Sequence, residues 1–307
     1  VSRRIAAIDF GTNTARLLIA DLFDDGHFEQ IALKRTIVRL GGGFSRETGL
    51  AYDAIQRATD CLHYFADSIK QNEVDTIRAV GTSAIRDAAN GSEFVEKMAN
   101  ETGIRLGVID GITEGNLTLS GVLAGLDSQP EQLMMFDVGG GSTEYTFARN
   151  AHPLFVQSLP LGVVRLTEGK IGPSAMEEKI ERELDKLELQ LSRSGISFSP
   201  DTLLVGTAGT ATTLAAISLE MSEYDYRRVN NHLLQKSEIQ RIYELLLPLT
   251  TEQRLDVAGL EKGREDLIIA GSLITLLTLK RFGFTKMKVS DYGLLEGLVV
   301  SEFTALS

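Results

Sequence analysis

Apolar residues in the first quarter of the chain form short runs that end in charge or glycine. "IAAI" (5–8) ends in Asp9 and "LLIA" (17–20) ends in Asp21, with Gly11, Thr12 and Asn13 between them, which predicts strand, turn, strand. "FEQIALKRTIVRL" (28–40) alternates loosely and supplies a third strand. The period then changes. Ile55, Ala58, Leu62, Phe65 and Ile69 recur every three or four positions and predict a helix over 53–71. A strand at 76–82, a helix from Ser92 to Gly103, a strand at 104–109 and a helix over 114–124 follow.

The loop "GLDSQPEQ" (125–132) interrupts this order, and behind it the opening pattern returns. Residues 133–148 again read as strand, glycine turn and strand, with a further strand at 154–159. Ser174 and Glu177 have the spacing of a capping box, and Met176, Ile180, Leu184, Leu187 and Leu191 form the stripe of a helix ended by Gly195. A strand at 202–205, a helix from Gly209, helices at 236–247, 251–258 and 264–282, a strand at 286–290 and a helix at 293–304 complete the pattern. The reading is therefore α/β in two domains, 1–125 and 126–307, with the last helix free to pack back on the first.

Composition narrows the classes. The longest apolar stretch, 267–279, is broken by Gly271, Ser272, Thr275 and Thr278 and falls short of the ~20 residues of a membrane helix, so it is expected in a core. "VSRRIAAIDF" suits a strand better than a signal core, and the single cysteine, Cys61, sits on the apolar stripe of 53–71. Both features fit a cytoplasmic protein without disulfides. The four histidines are scattered, which gives no zinc pattern. A net charge of −11 argues against nucleic-acid binding but allows a polyanionic substrate where arginines gather; Arg16, Arg39, Arg46 and Arg264 are the candidates for such a rim.

The repeated turn carries the chemistry. "DFGTNT" begins at Asp9 and "DVGGGST" at Asp137, 128 positions later. Gly11, Gly139, Gly140 and Gly141 leave backbone N–H groups able to converge on an anion, and Thr12, Asn13, Thr14, Ser142 and Thr143 add side-chain donors. Asp137, helped by Asp9 or Glu144, offers the oxygen ligands that Mg²⁺ prefers. "LLVGTAGTATTLAA" (203–216) runs from a strand through Gly209 and Thr210 into a helix start, a third place where an anion is favoured. No G-x-x-x-x-G-K-[ST] occurs, which excludes a P-loop nucleotidase.

These turns, with "GTAGT" downstream, resemble the acetate and sugar kinase/Hsp70/actin superfamily. "VGTSAIRDAAN", "VIDGITEGNLTLSGVLAG", "FDVGGGSTEYTF", "LPLGVVRLTE" and "VSDYGLLEGLV" narrow the resemblance to the exopolyphosphatase and guanosine pentaphosphate phosphohydrolase (Ppx/GppA) family, short two-domain type. The resemblance implies two ribonuclease H-like, actin-like ATPase domains, each a mixed five-stranded sheet with helices, and an active site in the interdomain cleft. It implies Mg²⁺-dependent hydrolysis of the terminal phosphate of polyphosphate or of the 5′ γ-phosphate of pppGpp. It further implies that Glu114 acts as the base and that Arg86 balances phosphoryl charge. It carries no nucleic-acid or membrane partner and allows a homodimer. Thr113 and Asn116 stand where the family often has an acid and an arginine, and Leu295 replaces an arginine, which bears on substrate preference. A kinase of the same superfamily, a non-catalytic sensor of polyphosphate or alarmone, and an actin-like filament protein remain as alternatives.

Overall fold

The computed structural model describes residues 2–45, 47–169 and 172–306. The chain divides into two compact units, one formed by Val1–Ala124 with Gly293–Ser307 and the other by Gly125–Tyr292. In chain order the first stretch holds β1 (Ser2–Phe10), β2 (Thr14–Phe23), β3 (Phe28–Ile37), α1 (Tyr52–Gln71), β4 (Thr76–Gly81), α2 (Ser83–Asp87), α3 (Gly91–Thr102), β5 (Gly107–Val108) and α4 (Gly111–Gly125). The second unit opens with β6 (Gln132–Val138), β7 (Thr143–Arg149), β8 (His152–Leu159), α5 (Val163–Glu168), α6 (Pro173–Arg193) and β9 (Leu203–Thr207). It continues through α7 (Ala208–Ser218), α8 (Tyr226–Val229), β10 (Leu233–Gln235), α9 (Lys236–Leu246), α10 (Thr251–Arg254), α11 (Ile268–Arg281) and β11 (Lys286–Val289). The chain then returns to the first unit with α12 (Leu294–Leu306).

The first sheet has the order β3-β2-β1-β4-β5, with β2 antiparallel to both neighbours and β4 and β5 parallel to β1. The second runs β8-β7-β6-β9-β11 in the same sense, then adds β10 antiparallel to β11. Both sheets are therefore mixed and ribonuclease H-like, but the second has six strands where five were expected. The addition is a three-residue edge strand, too short for any hydrophobic period to reveal it.

Strand β1 is an apolar run because both faces of its sheet are covered. Ala6, Ile8 and Phe10 pack with Leu62 and Phe65 of α1 and with Phe94 and Met98 of α3. Ile5 and Ala7 face the other way, with Leu18 and Ala20 of β2, against Leu294, Leu295, Leu298 and Val299 of α12. In the second unit, Met134, Phe136, Tyr145, Phe147 and Leu204 pack with α5, α6, α7, α9 and α11 in one core. Ile268 to Leu279 are all buried, so the long apolar stretch is the expected core helix. No helix among the described residues is long and apolar enough to cross a membrane.

Several boundaries depart from expectation for identifiable reasons. The Ser174/Glu177 box does not form, because the N-cap of α6 falls two residues earlier, at Gly172, with Pro173 in the first turn. A capping box closes instead at Thr250 and Gln253 of α10, a single turn where a helix over 251–258 was expected. Helix α3 starts at Gly91 rather than Ser92. Its N-cap residue, Asn90, turns its amide away to exchange hydrogen bonds with the Leu50 N–H (2.8 Å) and carbonyl (3.1 Å). Only Gly107 and Val108 of the strand expected over 104–109 pair with β4. Cys61 is buried, and burial pushes its thiol up to about 11, which fits a packing role.

Candidate active site

Each unit gathers its candidate residues at the carboxyl ends of its central parallel strands, where ligands of open α/β sheets are bound. In the first unit, Phe10 of β1 lies beside Gly81 of β4, and Gly81 beside Val108 of β5. The Thr82 N–H reaches the Phe10 carbonyl (3.4 Å) and the Ile109 N–H reaches the Gly81 carbonyl (3.1 Å). The β1–β2 turn, α2 and the start of α4 therefore leave the sheet side by side.

That arrangement brings Arg86 and Glu114 together. Arg86, in the last turn of α2, donates through Nη1 to the Ile109 carbonyl (2.9 Å) and to Glu114 Oε2 (3.4 Å). Glu114 lies in the first turn of α4, only 8% exposed. The Asp110 carboxylate accepts from the Thr113 N–H (2.8 Å) and caps the helix, and the Glu114 N–H continues to the Asp110 carbonyl (2.9 Å). A carboxylate at a helix start is favoured by the dipole, and here it also stands beside a guanidinium. Thr113 is exposed and Asn116 half-buried on the same helix, whereas Leu295 is fully buried against β1. The position expected to lack a phosphate-binding charge therefore belongs to the core.

The two turns match atom for atom. The Gly11 N–H closes on the Thr14 carbonyl and the Gly139 N–H on the Ser142 carbonyl, each at 3.0 Å. Added β-carbons would stand 2.9 and 3.0 Å from those same carbonyls, which explains glycine at both places. Thr12, Asn13, Ser142 and Thr143 are all buried. Asn13 Oδ1 has no partner among the described residues. The Thr143 hydroxyl donates a hydrogen bond to the Leu161 carbonyl (2.5 Å) and so shapes the turn from within.

A second likeness was not anticipated. In each unit a V-R-L segment docks on the turn: Val38, Arg39 and Leu40 in the first, Val164, Arg165 and Leu166 in the second. The Val38 and Arg39 N–H groups donate to the Asn13 carbonyl (3.0 and 2.8 Å), and the Val164 and Arg165 N–H groups donate to that of Gly140 (2.9 and 3.2 Å). Arg165 also donates through Nε to the Gly141 carbonyl (2.9 Å). Arg165 was missed as a site residue, although the repeat of "IVRL" at 37–40 as "VVRL" at 163–166 was there to find it.

Where the turns differ is in charge. Asp9 lies opposite Arg16 across its hairpin and is ion-paired with it at 2.8 Å. The equivalent residue, Asp137, lies opposite Glu144. Both carboxylates are buried, 8% and 1% exposed, and Glu144 Oε1 accepts from Ser158 Oγ (2.6 Å). Like charges directly opposite on neighbouring strands repel, and a cation relieves the repulsion. One or two carboxylates are the usual protein share of a Mg²⁺ site, so this pair fits the ion. No group of three or more metal-binding side chains occurs among the described residues.

Of the other candidates, Gly209 and Thr210 lie in the first turn of α7, behind its first residue Ala208, whose φ is +62°. The Arg264 guanidinium lies over Gly209, where a β-carbon would stand 1.9 Å from its Nη1. Arg16 serves Asp9, Arg39 sits on the docked loop, and Arg46 lies outside the described residues.

Fold and strand-end sites define the class, an α/β protein of the actin-like ATPase type. Residues 19–305 match the model of the Ppx/GppA phosphatase family, and the chain belongs to that family. It is 30% identical to exopolyphosphatase 2 of Mycobacterium tuberculosis, over 97% of this chain and 98% of that protein. Among solved structures, the Aquifex aeolicus Ppx/GppA family member is 32% identical, with TM-score 0.83 over 100% of this chain and 99% of that one. An exopolyphosphatase from Cytophaga hutchinsonii is 27% identical, with TM-score 0.89 over 99% and 98%. The protein is thus a hydrolase of phosphoanhydride bonds.

Proposed function

We propose that the protein releases the terminal phosphate of inorganic polyphosphate, using Mg²⁺ and a water activated by Glu114. The observation that carries this reading is the pairing of buried Glu114 with half-buried Arg86 at the carboxyl ends of β1, β4 and β5. The exopolyphosphatase relatives support the choice of substrate.

Phosphoanhydride hydrolysis asks a protein mainly for positioning and charge neutralisation. In the first unit, backbone N–H groups and side chains of Gly11 to Asn13 hold phosphate oxygens; the second unit offers the same kind of groups at Gly139 to Ser142 and at Gly209 and Thr210. Glu114 takes a proton from water as the water oxygen attacks the terminal phosphorus. The bridging P–O bond breaks, and the shortened chain leaves with the electron pair as an anion that needs little acid help. Arg86 steadies Glu114 and balances charge on the transferred phosphoryl group. Mg²⁺, held by Asp137 with Glu144, would neutralise further phosphate oxygens. Asp9, already neutralised by Arg16, serves the fold of its turn.

The test compares wild type with Glu114→Gln for phosphate release from long-chain polyphosphate and from pppGpp, which carries the same kind of bond at its 5′ end. A fall in kcat of roughly 10²–10⁴-fold with an unchanged melting temperature is expected. Equal release by both proteins would remove Glu114 as base. Binding without release by wild type would favour a sensor.

A further inference from the structure

Helix α6 of the second unit sorts its charges by face. Met176, Ile180, Leu184, Leu187 and Leu191 bury one side in the core and fix the rotation of the helix. Beside that stripe Glu181, Asp185 and Glu188 are tied to Lys280 and Arg281 of α11 at 3.3, 2.6 and 3.1 Å. Lys179, Arg182, Lys186 and Arg193 recur at the three-, four- and seven-residue spacing that puts side chains on one helical face. The last three are exposed and Lys179 is half-buried. From Lys179 to Arg193 the stripe runs roughly 20 Å. Two acids flank it, exposed Glu178 four residues before Arg182 and buried Glu183, paired with Lys186 at 2.7 Å.

The near end of the stripe lies within electrostatic reach of Arg165, which donates to the second turn. Helices α5 and α6 are consecutive and contribute to one core, and Arg165 of α5 grips the Gly141 carbonyl. Burial, then the charge of Arg165, pushes the Lys179 ammonium down; Glu183 pulls the other way, and Arg182 lowers it further. Cations gathered this closely in a protein of net charge −11 mark a place where an anion is favoured.

We infer that the Lys179–Arg182–Lys186–Arg193 face of α6 is a binding track for the distal part of a polyphosphate chain whose near phosphates are held at the second turn. The inference rests on the phosphate-holding role proposed above for that turn and adds a basis for preferring long chains. A linear polyanion gains from each cation it meets by releasing counterions, so binding to the track depends on chain length and on salt.

The experiment measures the affinity of the full chain for long-chain polyphosphate and for tripolyphosphate across a range of salt, together with KM and kcat for phosphate release. The fourfold variant K179Q/R182Q/K186Q/R193Q is compared with wild type and with K70Q/K97Q/R241Q/K286Q, which removes the same charge from other surfaces. The track variant is expected to bind long chains about tenfold or more weakly, with a salt slope flatter by about 2–3, and to bind tripolyphosphate as wild type does. KM for long chains should rise with kcat unchanged. Unchanged long-chain affinity in the track variant overturns the inference, and so does an equal loss in the control, which would make it an effect of net charge alone. Wild type that binds long chains through the track but releases no phosphate would instead overturn the proposed reaction and leave the track standing. Wild type that binds neither chain overturns both.

Discussion

Asp9 and Asp137 occupy the same place in two matching hairpins, yet one faces Arg16 and the other Glu144. The difference predicts opposite responses to removing a charge. Arg16→Gln leaves a mostly buried carboxylate without its guanidinium and should destabilise the protein by about 1.5–3 kcal/mol. Glu144→Gln removes a repulsion and keeps an acceptor for Ser158, so in EDTA its stability should equal or exceed that of wild type. Wild type should also gain melting temperature with added Mg²⁺, because a ligand of the folded state stabilises it, and the variant should lose that gain. Urea and thermal unfolding with EDTA or Mg²⁺ separate these outcomes; a Mg²⁺ gain retained by Glu144→Gln would move the ion elsewhere. The strand-end aspartates were legible because an apolar run ending in Asp-x-Gly is a local signal. Their partners were harder to read, since they depend on cross-strand register. The docking of Arg165 on Gly141 gives no local signal, because the residues are 24 apart in sequence, and only the repeat of "IVRL" as "VVRL" points to it.

At the scale of elements, α4 presents Glu114, and two features of the sequence hold that helix. One is its cap. The Thr113 N–H and then its hydroxyl hold the Asp110 carboxyl below the usual carboxylate range, and Arg86 adds to this. A lowered carboxylate contributes stability that is present above its unfolded value and lost as pH falls through its folded value. The cap should therefore fail only below about pH 4. Asp110→Asn should keep the cap and remove that part of the acid sensitivity, which stability curves between neutral and acid pH would register. The other feature is close packing on α12. A β-carbon at Gly121 would stand 1.9 Å from the Gly293 carbonyl oxygen, and one at Gly297 would stand 1.9 Å from that of Leu117. Gly121→Ala must push the helices apart and should cost about 1–3 kcal/mol, with a fall in kcat because Glu114 moves with α4. Gly195→Ala, at φ +68° with nothing nearby, should cost about 1 kcal/mol and leave kcat alone. Helices with a full stripe, such as α1 and α6, could be read from period alone. Helices α2 and α5, of five and six residues, could not, because they are too short to show one.

At the scale of the molecule, the chain builds most of one unit, completes the other, and then returns for α12. Gly125 and Tyr292, where the second unit begins and ends, lie against each other, a β-carbon at Gly125 falling 2.7 Å from the Tyr292 ring. Asn230 and Asn231 both donate to the Gly125 carbonyl (2.8 and 2.9 Å), and Asn230 Oδ1 accepts from the Asp291 N–H (3.0 Å). Adjacent termini and a core of its own are what an inserted domain needs to fold alone. Residues 125–292 by themselves should therefore unfold in one cooperative transition. The first unit depends on the chain's return. Deleting 293–307 strips Leu294, Leu295, Leu298 and Val299 from Ile5, Ala7, Leu18 and Ala20. At about 1.5–3 kcal/mol for each fully buried side chain, the loss rivals the whole stability of a domain, typically about 5–15 kcal/mol. Hydrogen exchange on the shortened chain should show β1 and β2 unprotected while β6, β9 and α11 keep native protection. Uniform loss of protection would mean that the two units fold as one, and full protection of β1 would mean that its core survives without α12.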